Sequence, residues 1–382
     1  MRFRPATLSD TFALIELFHR AFTTSKGTNF SEFTAIEKSL SDPDTRDVII
    51  EVGGIVRGLI SARFDNDQGI CKLNRLIVSP EIEDGKTALK LALEYFLDTV
   101  KQEMPHIDVV YTTTTSISRD EQEVTVECGF QVYGVFPNLL GLDASQLNGL
   151  TAFFLRDDWK KKRSSRITIH PVIEPFYKIV QKEAGLPELA PEQIASAPEQ
   201  ELSSNEAPSD LTLEIIEAEG FVAKRFKNHI ARKSQMIHFY PFYEPNAVIT
   251  DPEQSCEIFV KIVEHARFAA IIGEHLSIPV KPVELYTKVQ ALLKERGVGY
   301  IEIINDAGDV EGTESIIQSG FTPCAYFPAF KRQGASRRDF VVYGKSFEYL
   351  CRPDFQAPRT YLDFYREYFR IEGKNYFPEL QS

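Results

Sequence analysis

The chain repeats itself at half its length. Gly129-Phe130 precedes Phe136-Pro137, Gly320-Phe321 precedes Phe327-Pro328, and both landmarks are offset by 191 residues (320 − 129 and 327 − 136). Ahead of each Gly-Phe lies an apolar run, Asp108-Val109-Val110-Tyr111-Thr112 in one half and Gly299-Tyr300-Ile301-Glu302-Ile303-Ile304 in the other. Each run follows an amphipathic stretch of helical spacing, residues 87–103 and 283–296. Downstream come a β-rich run, 150–154 or 340–343, and a helix carrying Phe176-Tyr177 or Phe364-Tyr365. Self-similarity of this period predicts two copies of one supersecondary unit, not a solenoid of short repeats. Alternating strands and helices place each copy in the α/β (α+β) class.

Length agrees, since 382 residues exceed what one core usually serves. Between the halves, residues 187–210 hold four prolines and six acidic residues, with no Lys, Arg or aromatic. Such a segment buries too little apolar surface to offset its ordering entropy, so it reads as a flexible acidic linker. The expected domains are therefore 1–186 and 211–382.

Within the first half, Ser9 is placed to cap a helix with Phe12, Ile15, Phe18 and Phe22 along its inner face. Phe33, Ile36 and Leu40 predict a second short helix. The Gly53-Gly54 pair tolerates the positive φ of a two-residue turn, so 48–52 and 55–62 read as a hairpin. Residues 70–78 form the next strand, ended by Ser79-Pro80, and a loop through Gly85-Lys86 enters the following helix.

The ordered set Arg4-Pro5-Ala6-Thr7 with Asp10, Leu76-Ile77-Val78-Ser79-Pro80 followed by a glycine-containing loop and a helix, and then Gly129-Phe130 resembles the GCN5-related N-acetyltransferase (GNAT) family. The resemblance covers residues 1–155 directly and 255–345 through the repeat. The run 109–135 with Pro137-Asn138 looks closest to the branch that acetylates β-lysine and similar small amines. The resemblance implies two GNAT-like domains, each a mixed, mostly antiparallel twisted sheet flanked by helices. It also implies direct attack of an amine on an acyl-CoA thioester, acetyl-CoA or another acyl-CoA, without a covalent enzyme intermediate.

By the same resemblance, the pantetheine arm pairs with Leu76, Ile77 and Val78 as an added strand, with the Val78 N–H available to the thioester carbonyl. The pyrophosphate falls to Gly85, Lys86, Thr87 and Ala88, where a helix start favours an anion. This loop reads Glu83-Asp84-Gly85-Lys86, so an acid stands where the family's loops carry Arg or Gln. Its carboxylates repel a pyrophosphate, and Lys86 offsets only part of that. In the second half, Leu276-Ser277-Ile278-Pro279 runs straight into Val280-Lys281-Pro282 with no glycine loop. That copy reads as degenerate, serving substrate enclosure or homodimerisation.

Many relatives carry a general-acid Tyr four residues before the Gly-Phe landmark, where Thr125 and Ile316 stand here. No catalytic residue is singled out. Glu51, Asn74 and Glu127, with Glu274-His275 in the second half, are candidates for a base, and residues of these types are more often solvated or structural. Two functions stay open: an N-acyltransferase for a small amine or amino-acid-like acceptor, and a non-catalytic tandem protein that binds a metabolite or a partner.

A net charge of −12 argues against nucleic acid and anionic membranes as partners. The basic cluster Trp159-Lys160-Lys161-Lys162-Arg163 with Arg166 reads as a solvated face. The aromatic run 238–243 reads as core, and His170 as a helix-start residue. Five scattered cysteines without a C-x-x-C pair read as reduced thiols, and Cys128 and Cys324 as packing residues. No H-E-x-x-H, P-loop or other metal-ligand or phosphate motif occurs. Without a signal-like N-terminus or an apolar run of about 18 residues, the expected location is the cytoplasm.

Overall fold

The computed structural model describes residues 1–22, 33–114, 119–137, 147–164, 167–196, 211–231, 236–238, 242–348 and 358–376. They form two compact units. Unit 1 comprises Met1–Tyr133, Gly149–Lys162 and Phe330–Arg337, and unit 2 comprises Gly134–Asn148, Arg163–Ala329 and Arg338–Ser382. The architecture is mixed α/β, with mostly antiparallel strand pairing.

The first half runs β1 (Arg2–Pro5), α1 (Thr11–Phe22), α2 (Phe33–Ser41), β2 (Thr45–Val52), β3 (Ile55–Asp65), β4 (Ile70–Val78), α3 (Gly85–Glu103), β5 (Val109–Thr114), α4 (Arg119–Glu127), β6 (Gln131–Pro137), β7 (Leu147–Phe154) and the one-turn α5 (Trp159–Lys162). Strands β1 to β4 pair antiparallel in sequence order, β5 joins β4 in parallel, and β7 pairs antiparallel with β5. In the order of strands, β7 lies between β5 and β6. The β2–β3 turn uses Gly53 and Gly54 at φ +60° and +80°, as a two-residue hairpin requires.

Period-two alternation gives this sheet two apolar faces. Val48, Ile50, Ile60, Ala62, Leu73 and Leu76 meet α3, which answers with Ala92, Leu93, Phe96 and Val100 from one stripe. Ile49, Leu59 and Ile77 face α1 and α2 through Leu14, Leu17, Phe18 and Ile36. The inner face of α1 is thus Leu14-Leu17-Phe18, while Phe12, expected inside, is 72% exposed. A turn of 3-10 helix precedes α1 and shifts the apolar phase. Thr7, not Ser9, caps that turn, with the Asp10 carboxylate accepting from the Thr7 N–H at 2.8 Å. Arg4 binds Asp10 at 2.8 Å and Glu51 at 3.0 Å, and the hydrogen bond from Arg4 is the main cause holding the Asp10 carboxyl down at about 2.

The second half follows α6 (Glu174–Ala184) with β8 (Glu214–Glu217), α7 (Glu219–Ala231), β9 (Met236–His238), β10 (Ala247–Thr250), β11 (Cys256–Val263), β12 (Phe268–Leu276), α8 (Pro282–Glu295), β13 (Tyr300–Asp306), α9 (Val310–Gln318), β14 (Thr322–Gln333), β15 (Ser336–Ser346) and α10 (Arg359–Tyr376). Its strand order is β8-β10-β11-β12-β13-β15-β14, with β12 and β13 parallel. Position for position, this is the order β1-β2-β3-β4-β5-β7-β6 of the first half.

Residues 187–195, whose composition reads as linker, are held by a tyrosine hydroxyl and by backbone partners. The Tyr177 hydroxyl donates to Pro187 O at 2.8 Å, Ile169 N to Gln193 O at 2.8 Å, and Ala195 N to Ile169 O at 2.9 Å. The carbonyl and N–H groups of 167–169 supply what the segment's composition lacks. Residues 197–210 lie outside the described residues.

The basic cluster is a solvated face only at Lys160 and Lys161, which are exposed. Trp159 stacks on Phe154 at 3.7 Å, Lys162 binds Asp108 at 3.2 Å, and Arg163 is buried against Asp339 in unit 2. His170 caps a 3-10 turn through Nδ1, accepting from Val172 N at 3.1 Å. Cys71, Cys128, Cys256 and Cys324 are free, and burial pushes the Cys128 thiol up to about 11, away from thiolate chemistry. Cys351, Arg166 and the side chains of 238–241 lie outside the described residues. Among the described residues no helix is long and apolar enough to cross a membrane.

Candidate functional site

In unit 1 the parallel pairing of β4 with β5 covers only Ile70–Leu73 against Val109–Thr112. Beyond it β4 continues to Val78 and β5 to Thr114 without a mutual partner. The break coincides with a bulge. On β3, Ser61 faces Arg75 while Ala62 faces Leu73, so Asn74 is the extra residue. A bulge bends its strand and interrupts the ladder. The Thr112 hydroxyl donates to Leu73 O at 3.3 Å, at the last paired position.

Ser79 N donates to Arg57 O at 2.7 Å, so position 79 is hydrogen-bonded toward β3. Antiparallel alternation then turns the Val78 N–H and both polar groups of Leu76 away from β3, toward the β5 side. The backbone edge from Leu76 to Val78 therefore presents donors and an acceptor at the parting of the two strands. The side chains do something else. Leu76 packs into the α3 core, Ile77 into the α1–α2 core, and Val78 lies against the start of α3, where a Cβ on Gly85 would meet its Cγ1 at 3.2 Å.

At the other end of the site, Gly85, Lys86, Thr87 and Ala88 form the first turn of α3. Asp84 is its N-cap and accepts from Thr87 N at 3.0 Å, while Ala88 N bonds to Asp84 O at 3.1 Å. The hydrogen bonds from Thr87 hold the Asp84 carboxyl below its ordinary range. Lys86 is engaged as well. Its Nζ sits 2.8 Å from both Glu123 and Glu127 on α4, and their hydrogen bonds push its pKa up. The strand edge is left without a partner on the β5 side among the described residues, whereas the turn already carries an anion of its own.

The base candidates are largely committed. Glu51 holds Arg4, Glu127 holds Lys86 and Lys90, and Asn74 stands exposed on the bulge. Thr125 is buried in α4 with its hydroxyl on Gln122 O at 2.9 Å, and Ile316 is buried in α9. One group escaped the sequence reading. Asp47, Ser61 and Arg75 stand directly opposite one another across β2, β3 and β4, beside the bulge. Burial pushes the Asp47 carboxyl up, and its Oδ1 has no hydrogen-bond partner among the described residues. An acid two residues before Ile49, at the start of the buried stretch of β2, was the available signal.

Unit 2 repeats the parting and then closes it. β12 pairs with β13 only over Phe268–Ala270, and a bulge again follows. Here β9 pairs with Gly273–His275. Since β11 occupies the other edge of β12 at those residues, β9 covers the edge that β13 leaves. Glu274 is buried and accepts from the Tyr286 hydroxyl at 3.1 Å, with burial pushing its carboxyl up.

No protein-family model and no curated protein matches this chain. Solved structures that resemble it include smu.2055 from Streptococcus mutans UA159, at 17% identity over 41% of this chain and 100% of that one, with a TM-score of 0.35. An acetyltransferase of GNAT family from Streptococcus pneumoniae matches at 15% identity over 40% of this chain and 98% of that one, with a TM-score of 0.35. The aminoglycoside 6'-N-acetyltransferase from Enterococcus faecium matches at 14% identity over 41% and 98%, with a TM-score of 0.33. The strand order of unit 1, with a bulged β4 parting from a parallel β5, is consistent with a GNAT fold.

Proposed function

We propose that unit 1 binds an acyl-CoA thioester, acetyl-CoA first, along the β4 edge and transfers its acyl group to a small amine or amino-acid-like acceptor. One contrast carries the reading. The Leu76–Val78 edge has no strand partner on the β5 side among the described residues, whereas β9 covers the equivalent edge of β12. Unit 1 is then the ligand-binding copy and unit 2 the degenerate one. The Val78 N–H would meet the thioester carbonyl, and Gly85 would let the chain turn closely past Val78. The amine must lose a proton to attack, and the Asp47–Ser61–Arg75 row supplies the buried carboxyl nearest the bulge in register. The reading is tested by calorimetric titration of the full chain with acetyl-CoA. One equivalent bound per chain at micromolar concentration is expected, and silence at millimolar cofactor with a folded protein overturns it.

A specific observation favours a second reading, binding without turnover. The Asp84 carboxylate occupies the first turn of α3, and Lys86 is shared by two glutamates. Asp84→Asn tests whether the diphosphate lies at the start of α3, because Asn caps as well as Asp but carries no charge. The variant is expected to bind acetyl-CoA about two- to fivefold more tightly, the range of one charge at a helix start. Unchanged affinity would place the diphosphate elsewhere. Binding without acetyl transfer to any of a panel of diamines and amino acids would leave the second reading standing.

A further inference from the structure

We propose that unit 2 carries a divalent transition-metal site of the zinc type, held by His229 on α7, Glu257 on β11 and His275 on β12. One ligand atom from each lies within 4.8 Å of the other two. The arrangement is built by the sheet. Glu257 and His275 are directly opposite partners in the antiparallel β11–β12 ladder, so their side chains leave the same face. α7 lies over that face, with Phe226 5.2 Å from Phe259 between ring centroids, and it sets His229 above the pair.

His229 Nε2 is 3.0 Å from Glu257 Oε2, and the rings of His229 and His275 are 4.4 Å apart. Zinc holds nitrogen and oxygen donors at about 2.0–2.1 Å, which sets neighbouring donors about 3.4 Å apart in a tetrahedron. The His229–Glu257 pair, at 3.0 Å, needs to open by only about 0.4 Å, and since all three ligand atoms lie within 4.8 Å of one another, His275 has at most about 1.4 Å to close. Arg225 donates to the other oxygen of Glu257, as an outer-shell partner that orients a ligating carboxylate does. It also supplies the counter-charge that the buried carboxylate needs, so neither imidazole is required as a cation. The Glu257 side chain is 2% exposed and that of His229 17%, so the ion would enter from the histidine side. Two imidazoles with one carboxylate suit zinc and its neighbours, whereas magnesium and calcium prefer all-oxygen shells.

The site does not depend on the acyl-thioester reading of unit 1. The test uses the full chain, stripped with a chelator and titrated with ZnCl2 by calorimetry, with CoCl2 as an optical probe. One zinc per chain is expected, with visible Co(II) absorption of a four-coordinate site, no response to MgCl2, and a zinc-dependent rise in melting temperature. His275→Gln and His229→Gln should each weaken zinc binding by at least about tenfold and abolish the melting shift. Neither variant removes the buried Glu257–Arg225 pair, so both should fold. Absence of stoichiometric zinc means that the three residues form an ion pair and no more, and overturns the proposal. Zinc binding undiminished in both variants overturns it too.

Discussion

Asp339→Ala is expected to destabilise the protein by about 3–5 kcal/mol, the cost of stranding a buried charge. Asp339 accepts from Arg163 Nε at 2.9 Å and from its second terminal nitrogen at 2.6 Å, and the Arg163 side chain is only 5% exposed. The same carboxylate accepts from the Tyr326 hydroxyl and, at 2.9 Å, from the N–H of Ala329. Ala329 sits at φ +49°, a conformation that costs a non-glycine residue energy unless its surroundings hold it. Removing Asp339 therefore leaves a buried guanidinium without a counter-ion and releases a strained residue. Urea unfolding measures the loss. A double variant, Arg163→Met with Asp339→Leu, should recover much of it, because an apolar pair needs no counter-charge. A loss below about 1 kcal/mol in the single variant would mean that solvent reaches Arg163.

The second large effect belongs to unit 1. Asp108 accepts from Arg332 at 2.7 Å, Arg337 at 2.9 Å and Lys162 at 3.2 Å, and the Arg337 side chain is 1% exposed. Burial pulls Arg337 down to about 10 even with Asp108 beside it. Asp108→Ala should cost about 3–5 kcal/mol by the same logic. The pH dependence adds a separate signature. Burial works against ionisation of Asp108, but the hydrogen bonds from Arg332 and Lys162 and the charge of Arg337 outweigh it and hold the carboxyl below its usual range. A group depressed in the folded state stabilises fully above its unfolded pKa of about 3.9 and loses that contribution as pH falls through the folded value. Wild-type stability should therefore fall below about pH 4 partly through Asp108, and the Ala variant should show a shallower acid limb. Identical acid limbs would show that Asp108 titrates no differently in the folded chain.

The strands, turns and helices of the first half were largely legible because their signals are local. Gly53-Gly54 announces its hairpin, and the apolar stripe of α3 spans consecutive turns of one helix. Phe12 shows the limit. A period of 3.6 predicts an amphipathic face, but the 3-10 turn before α1 rotates it, and only packing against Ile49 and Leu59 selects Leu14-Leu17-Phe18. Residues 187–195 show another limit, because composition reports what a segment can bury by itself and not which backbone partners wait elsewhere.

The candidate thioester edge could be named from sequence because β4, its turn and α3 are contiguous, so 76–78 and 85–88 fall together whatever the rest of the fold does. By itself the sequence also determined the two-fold order of elements, since hydrophobic period and turn chemistry act within a few residues of one another. Tertiary structure alone decided which edge is covered. It laid β9 along β12, used the extra residue Asn74 to part β4 from β5, and set Asp84 over the first turn of α3. It also aligned Asp47 with Ser61 and Arg75, and His229 with Glu257 and His275. The physical reason is register: residues far apart in the chain become neighbours only when strand pairing and helix docking are complete, and a shift of one residue would send each to the opposite face.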